Sequence, residues 1–275
     1  NLGKVENKGL DFSIDYVKRF NNDFDMSFKG TFTYAHNKVL EYDEPDFQKY
    51  PNISRVGHSV DQQLLYIAER LFIDDSEVQR NPKQNLGGWV SGGDIKYKNL
   101  PDVNGNYDNV IDSNDRQYTG MPTTPEIVYG FGPSFRYKKF DFSFFFQGAA
   151  RVSIMMNGIH PFGAEGTRNV LQFIADDYWS ETNQNIYAEY PRLSKRDNEN
   201  NTKASTYWQR NGAFLKLKNL EVGFNHKFFR VYLRGSNLLT FSPFKYWDPE
   251  MGSGSGLSYP TQRVFNVGVQ FSINK

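Results

Sequence analysis

The sequence has 275 residues, a formal net charge of +1 and no cysteine, and 16% of its residues are aromatic. The balanced charge argues against nucleic-acid binding, because the chain has neither a net basic character nor a long basic segment. The absence of cysteine excludes disulfide bonds and thiolate metal sites. No run of 18 apolar residues is present, so the sequence predicts no membrane-spanning helix.

The mean hydropathy of −0.66 is low for a membrane protein built from helices. A transmembrane β-barrel strand, however, directs every second side chain to lipid and the others to a polar lumen, so its average stays low. The chain also begins without methionine and without the regions of a signal peptide. We therefore expect a piece of a longer polypeptide whose targeting signal lies upstream of Asn1.

Alternation of apolar and polar residues predicts three β-hairpins and a final strand. A period of two over about ten residues is typical of a strand with one apolar face, and the short polar links are typical of hairpin turns. In the third hairpin the alternation changes face near Lys218 and Asn219, which predicts a β-bulge. The predicted strands cover residues 10–16, 24–34, 127–137, 140–147, 214–224, 229–234 and 265–273.

The lengths of the strands and of their connections favour an outer-membrane barrel. About ten residues match what a tilted strand needs to cross a bilayer, whereas strands of soluble proteins average about five or six. Short links alternate with long polar stretches at 41–61, 93–124 and 148–207, as expected for tight turns on one side and long extracellular loops on the other. Residues 64–72 have apolar spacing closer to that of a helix, but we interpret them as a strand. A short helix is predicted to begin at Asp74 and to end before Pro82.

Six local strings occur in this order: NLGKVENKGLDFSI, GDIKYKNLPDVNGNYDNVIDSNDRQYTGMPTTPEIVYGFGPSFRYKKFDFSFFFQG, YPRLS, YWQRNGAFLKLKNLEVGF, LRGSNLLTFSPFKYWDPE and YPTQRVFNVGVQF. They resemble the carboxy-terminal region of SusC/RagA-type TonB-dependent receptors. The resemblance covers nearly the whole chain and implies that residues 1–275 are the carboxy-terminal part of a 22-stranded outer-membrane barrel. The plug domain, the amino-terminal strands and the segment that contacts TonB would lie outside this chain.

The resemblance also implies a function and partners. Such receptors import oligosaccharides or oligopeptides with energy from the inner membrane, and a SusD-like lipoprotein caps their extracellular face. The expected surroundings are outer-membrane lipids and the remainder of the barrel. The alternative is a secreted β-rich adhesin or carbohydrate-binding module, in which the aromatic strand faces form a soluble core. That alternative must still hide the Phe-rich segment 140–146, which a soluble sheet would do with difficulty.

One polar segment resembles a calcium-binding loop, because it alternates oxygen-bearing side chains around a glycine, as a hard cation requires. The spacing is stretched relative to an EF-hand, and a solvated turn rich in Asn and Asp is the preferred interpretation. The hypothesis is a bound Ca²⁺ or Mg²⁺, and no other cofactor is expected. The candidate ligands are Asp102, Asn104, Asn106, Asp112 and Asp115.

No other constellation indicates metal binding or catalysis. The four histidines have no helical spacing and do not predict a zinc site, and neither a phosphate-binding loop nor a nucleophile elbow is present. We therefore do not expect an enzyme. Aromatic residues in or beside the long loops have two interpretations, an interfacial girdle, which is preferred, and stacking on substrate, for which Trp179 and Trp208 are the candidates. The set comprises Trp179, Tyr187, Tyr190, Tyr207, Trp208, Tyr246 and Trp247.

Overall fold

The structure is a computed structural model that describes residues 3–159, 169–195 and 198–272. None of the helices in this part of the chain is long and apolar enough to cross a membrane. The α-helices are α1 (Asp75–Arg80) and α2 (Gln172–Asp176), and short 3₁₀ turns occupy Pro51–Ile53, Ser113–Asp115 and Pro249–Met251. The strands are β1 (Gly3–Arg19), β2 (Phe24–Tyr42), β3 (Gln63–Tyr66), β4 (Ala68–Leu71), β5 (Lys83–Gln84), β6 (Ile95–Tyr97), β7 (Val110–Ile111), β8 (Arg116–Thr119), β9 (Ile127–Tyr137), β10 (Phe140–Ala150), β11 (Ser153–Met155), β12 (Gln209–Asn211), β13 (Phe214–Asn225), β14 (Phe229–Phe241) and β15 (Val264–Phe271).

Seven long strands form one antiparallel sheet in the order β1-β2-β9-β10-β13-β14-β15. The three predicted hairpins and the final strand are confirmed, although predicted residue Ile273 lies outside the described residues. The first hairpin is longer than predicted, because β1 has 17 residues and β2 has 19. The end of this hairpin away from its turn pairs two mainly polar segments through backbone hydrogen bonds. An alternation of apolar residues does not predict such pairing.

The register places apolar and polar side chains on opposite faces of this sheet. Residues paired across neighbouring strands share a face, so a row can be followed from strand to strand. Across the six strands from β2 to β15, one row is entirely apolar and contains Met26, Phe135, Phe142, Val222, Leu233 and Val267. The next row, one residue along each strand, is polar and contains Ser27, Ser134, Ser143, Glu221, Arg234 and Asn266.

The predicted bulge in β13 is confirmed. Lys218 has no partner in either register, since Leu217 and Asn219 pair with successive residues of β10. The extra residue keeps Leu215 and Leu217 on the apolar face, and it therefore directs Lys216 to the polar face.

The two ends of the sheet differ as predicted. Short turns at 20–23, 138–139 and 226–228 lie at one end, and the connections 43–126, 151–213 and 242–263 lie at the other. We refer to the described residues of these three connections as the loop layer.

The loop layer is itself folded, whereas the sequence predicted mainly long polar loops. It contains four two-stranded sheets and a buried apolar core of its own. Residues 64–72 are extended as predicted, but they form the short strands β3 and β4, which pair with β8 and β6 outside the large sheet. The predicted helix is confirmed as α1, whose first turn is capped by Asp74 through the amide of Glu77. The core includes Leu65, Leu71, Ile95, Ile111, Ile154 and Ile174.

Candidate transport surface

The polar face of the sheet carries cross-strand ion pairs near the short turns. Asp25 on β2 accepts a hydrogen bond from Arg19 on β1 at 3.0 Å and another from Arg136 on β9. Three neighbouring strands are thus linked through one carboxylate. Opposite charges directly across strands stabilise a sheet modestly. They also keep this face of the sheet charged and able to contact water.

A second group of ion pairs continues this polar face across β10, β13 and β14. Arg230 donates to Asp141 at 2.5 Å and to Glu221 at 2.6 Å, and Arg234 donates to Glu221 at 2.5 Å. The guanidinium groups on β14 thus reach Glu221 on the adjacent β13 and Asp141 on β10, the strand beyond it. A face of this kind suits the lining of a polar passage, whereas the apolar face suits lipid.

Near the loop layer, the polar face contains a fully buried lysine. The Lys216 side chain is 0% exposed, and its Nζ donates to Asp248 and to Glu250, each at 2.6 Å. The neighbouring Lys218 also donates to Glu250, at 2.9 Å. Burial acts to raise the pKa of Asp248, but hydrogen bonds from Lys216 and from the Glu250 amide outweigh burial and lower it. Two lysines on β13 therefore hold the 242–263 connection against the seven-stranded sheet.

Within the loop layer, Asp94 is the centre of a buried polar network. Its side chain is 0% exposed and accepts hydrogen bonds from the Ser91 amide and from the side chains of Arg192, Asn198 and Asn201. Its partners come from both the 43–126 and the 151–213 connections, so this carboxylate joins them.

A second acidic group fixes α1 to the adjacent strands. Glu77 accepts from Arg70 Nη2 at 2.5 Å, from the Ile73 amide at 2.9 Å and from Lys96 Nζ at 3.1 Å. Burial acts to raise the pKa of this carboxyl, but the hydrogen bonds from Arg70, Ile73 and Lys96 lower it to about 2.

This lowered pKa predicts acid sensitivity of the α1 region. Because the folded-state pKa lies below the unfolded value, Glu77 contributes stability that is fully present above about pH 4.5 and is lost as the pH falls toward about 2. The shift corresponds to about 3 kcal/mol. Hydrogen–deuterium exchange of residues 70–80 in the native protein should accelerate over this window after correction for intrinsic rates. A Glu77→Gln variant should already exchange faster at neutral pH and should lose the steep pH dependence, and an unchanged profile would contradict the prediction.

Three of the seven loop aromatic residues are buried, and these cannot belong to the preferred girdle. Trp179 is 7% exposed and Trp208 is 6% exposed, and both belong with Tyr190 to the core of the loop layer. The girdle interpretation is wrong for these three residues, because their rings are enclosed by protein. Substrate contact by Trp179 and Trp208 stays a prediction, and in this conformation both rings serve as packing. Tyr187, by contrast, is exposed.

The proposed calcium ligands divide into two separate turns. Asp102 accepts from the amides of Asn104 and Asn106, both at 2.9 Å, and these backbone bonds lower its pKa, although burial opposes them. Asp112 and Asp115 form a capping box around Ser113–Asp115, and Asp115 also accepts from the Leu100 amide.

Backbone capping thus explains these carboxylates without a metal. In the described part of the chain, no group of three His, Asp or Glu side chains is arranged to hold a metal ion. Binding of Ca²⁺ or Mg²⁺ by this segment stays a prediction, which a calcium titration of thermal melting would test.

The described histidines have protein partners. His36 Nδ1 lies 2.5 Å from Glu126, His58 stacks on Tyr118, and His226 stacks on Phe229. The fourth, His160, lies outside the described residues.

Comparison with known proteins identifies what this architecture resembles. No protein-family model matches the chain. The TonB-dependent receptor P3 of Formosa agariphila is 28% identical in an alignment that covers 98% of the chain and 29% of that receptor. The TonB-dependent receptor SusC of Bacteroides thetaiotaomicron is 24% identical, with coverage of 98% of the chain and 26% of SusC. The resemblance to TonB-dependent receptors is confirmed.

Solved structures show the same fold. The RagAB peptide transporter matches with a TM-score of 0.68 and 22% identity over 98% of the chain, which corresponds to 30% of the matched transporter chain. A RagAB structure in the open-open state matches with a TM-score of 0.67. The all-β fold and its large antiparallel sheet are therefore confirmed. The chain spans less than a third of the length of the relatives it matches.

Proposed function

We propose that this chain contributes wall strands and extracellular loops to an energised outer-membrane importer. The observation that carries the proposal is the seven-stranded antiparallel sheet, which has one continuous apolar face, one ion-paired polar face and long connections at a single end. The apolar face would contact lipid and the polar face would line the lumen. The similarity to TonB-dependent receptors over 98% of the chain supports the same function.

In this proposal the remaining strands and a plug domain come from the rest of the same polypeptide. The edges β1 and β15 expose backbone groups that lipid cannot satisfy, so a closed barrel needs further strands between them. Residues 1–275 would then be one part of a single barrel domain. A plug would gate passage and couple it to TonB.

The proposed cargo is an oligosaccharide or an oligopeptide, and a SusD-like lipoprotein would cover the loop layer. Support for the peptide option comes from the RagAB structures, which are named as a peptide transporter. Support for a polar cargo of either kind comes from the ion-paired lumen face. The protein's contribution would be binding and passage, with no chemical step.

Membrane fractionation of the native protein tests this function. We expect recovery in the outer membrane and extraction by detergent. The gel mobility of the protein should change on heating, and mass spectrometry should detect a co-purifying lipoprotein. Recovery as a soluble protein would overturn the proposal, and the aromatic strand faces would then belong to the core of a secreted adhesin.

A further inference from the structure

The short-turn end of the sheet carries a belt of aromatic rings on its apolar face. One register row across β2, β9, β10 and β13 is entirely aromatic, and Phe229 on β14 pairs with Phe271 on β15. Phe20 extends this row by stacking on Phe24, with ring centroids 5.0 Å apart. The aromatic belt comprises Phe20, Phe24, Tyr137, Phe140, Phe224, Phe229 and Phe271. Rings at this position mark the level where the apolar band of a barrel meets the lipid head groups.

A lysine lies over an aromatic ring at each of the three short turns. An ammonium held in this way keeps its aliphatic stem on apolar surface and its charge at the polar side of the membrane boundary. The pairs, with the distance from Nζ to the ring centroid, are Lys18 on Phe20 at 4.9 Å, Lys138 on Tyr137 at 5.4 Å and Lys227 on Phe228 at 5.4 Å.

These three lysines and the adjacent Lys139 are exposed, and none of them has an ion-pair partner in the described part of the chain. The carboxylates on the polar face nearby, Asp25 and Asp141, are bonded to arginines instead. Within turn residues 20–23, 138–139 and 226–228, Asp23 is the one acidic side chain. The short-turn end is therefore an electropositive surface next to an aromatic belt.

The proposed neighbours of this chain leave the electropositive surface accessible. Further strands of the barrel would join at the edges β1 and β15, whereas the turns 138–139 and 226–228 connect inner strands. A plug in the lumen would contact the polar face, and the aromatic belt lies on the opposite, apolar face. The loop layer and any lipoprotein that covers it lie at the other end of the sheet.

An anionic phospholipid surface matches both parts of this arrangement. Its phosphates suit the ammonium groups, and its acyl chains suit the rings of the belt. Because neighbouring strands lie about 4.8 Å apart, the three turns spread the lysines along a line of about 19 Å beside the belt. A protein partner would need a broad patch of about 800 Å² per side, whereas a line that borders the apolar band follows a membrane surface.

We propose that Lys18, Lys138, Lys139 and Lys227, together with the aromatic belt, form a docking surface for anionic phospholipids in the leaflet at the short-turn end. This inference rests on the proposed barrel and goes beyond transport, because it names the lipid class that this end prefers. A zwitterionic phospholipid carries its own amine, which neutralises its phosphate and weakens the attraction. The docking surface therefore favours a lipid of net negative charge.

The test uses the native transporter, purified in detergent from the outer membrane and incubated with an equimolar mixture of phosphatidylglycerol and phosphatidylethanolamine. The lipids that stay bound after gel filtration are quantified by mass spectrometry. At low salt, we expect the wild type to retain the anionic lipid about fivefold over the zwitterionic one, the factor that one lysine beside an anionic surface implies. A wash in about 1 M salt should remove this preference, because it screens charges beyond about 3 Å.

Charge variants then assign the preference to the short turns. Combined Lys18→Gln, Lys138→Gln, Lys139→Gln and Lys227→Gln should bring the lipid ratio close to one, and the four corresponding Lys→Arg substitutions should preserve the wild-type ratio. The matched control removes four lysines from the loop layer, at the other end of the sheet, and should leave the ratio unchanged. Its substitutions are Lys49→Gln, Lys83→Gln, Lys98→Gln and Lys203→Gln.

The outcomes separate this inference from the proposed function. A wild type that is recovered in the outer membrane but shows no lipid preference, or a preference that salt does not reduce, overturns the docking surface and leaves the import function standing. Equal lipid ratios in the wild type and the short-turn Gln variant also overturn it, as does an equal loss in the loop-layer control. An unchanged ratio with loss of a co-purifying protein would assign these lysines to a protein interface instead. Recovery of the wild type as a soluble protein would overturn the import function itself.

Discussion

Replacing Asp94 by alanine is expected to unfold the loop layer while the seven-stranded sheet stays intact. The substitution removes the acceptor for Arg192 Nη2 at 3.0 Å, Asn198 Nδ2 at 3.0 Å and Asn201 Nδ2 at 2.8 Å. It leaves a guanidinium and two amides without their buried partner. Loss of one member of a buried charged pair costs about 3–5 kcal/mol, which is large relative to the stability of a small folding unit.

Limited proteolysis of the native protein in detergent measures this effect. The Asp94→Ala variant should be cut within 43–126 and 151–213 at protease levels that leave the wild type intact. The strands of the seven-stranded sheet should stay uncut, and the change of gel mobility on heating should match that of the wild type. Asp94→Asn, which keeps an acceptor oxygen but loses the charge, should give an intermediate result. Asp108→Ala is the matched control, because this exposed carboxylate accepts only from the nearby Val110 amide in the described structure. Equal protease resistance of Asp94→Ala and the wild type would contradict the prediction.

The hairpins of the sheet could be predicted from sequence because their determinants are local. The alternation of Phe140, Phe142, Phe144 and Phe146 with polar residues fixes which face each side chain takes, and the short link at 138–139 fixes the partner strand. Even the bulge at Lys218 is visible as a change of phase in the alternation. Each of these features depends on residues only a few positions apart.

The loop layer could not be predicted because its determinants are distant in the chain. Asp94 meets Arg192 across 98 positions and Asn201 across 107, and no local pattern indicates these contacts. Trp179 and Trp208 stand in polar stretches, so their sequence context suggests exposure, yet a core formed from two connections buries them.

The Lys216→Met substitution is expected to release the 242–263 connection from the seven-stranded sheet. Methionine fills a similar volume but leaves Asp248 and Glu250 without the ammonium that each contacts at 2.6 Å. The two carboxylates then repel each other, and Lys218 compensates only at Glu250. Because both carboxylates are partly solvent-accessible, we expect a cost at the lower end of the range for a broken buried pair, about 3 kcal/mol.

Exchange of backbone amides in residues 242–263 reports this release directly, and it should accelerate by about 100-fold in Lys216→Met if the connection opens locally. Lys218→Met is the matched control on the same strand, since the Lys218 side chain is 23% exposed and Glu250 is its only ion-pair partner among the described residues. It should accelerate exchange by less than about tenfold, as expected for a more exposed pair. Adding Asp248→Asn and Glu250→Gln to Lys216→Met should restore much of the protection, because the repelling charges are removed. Equal effects of the two lysine substitutions would show that burial of Lys216 does not determine how this connection is held.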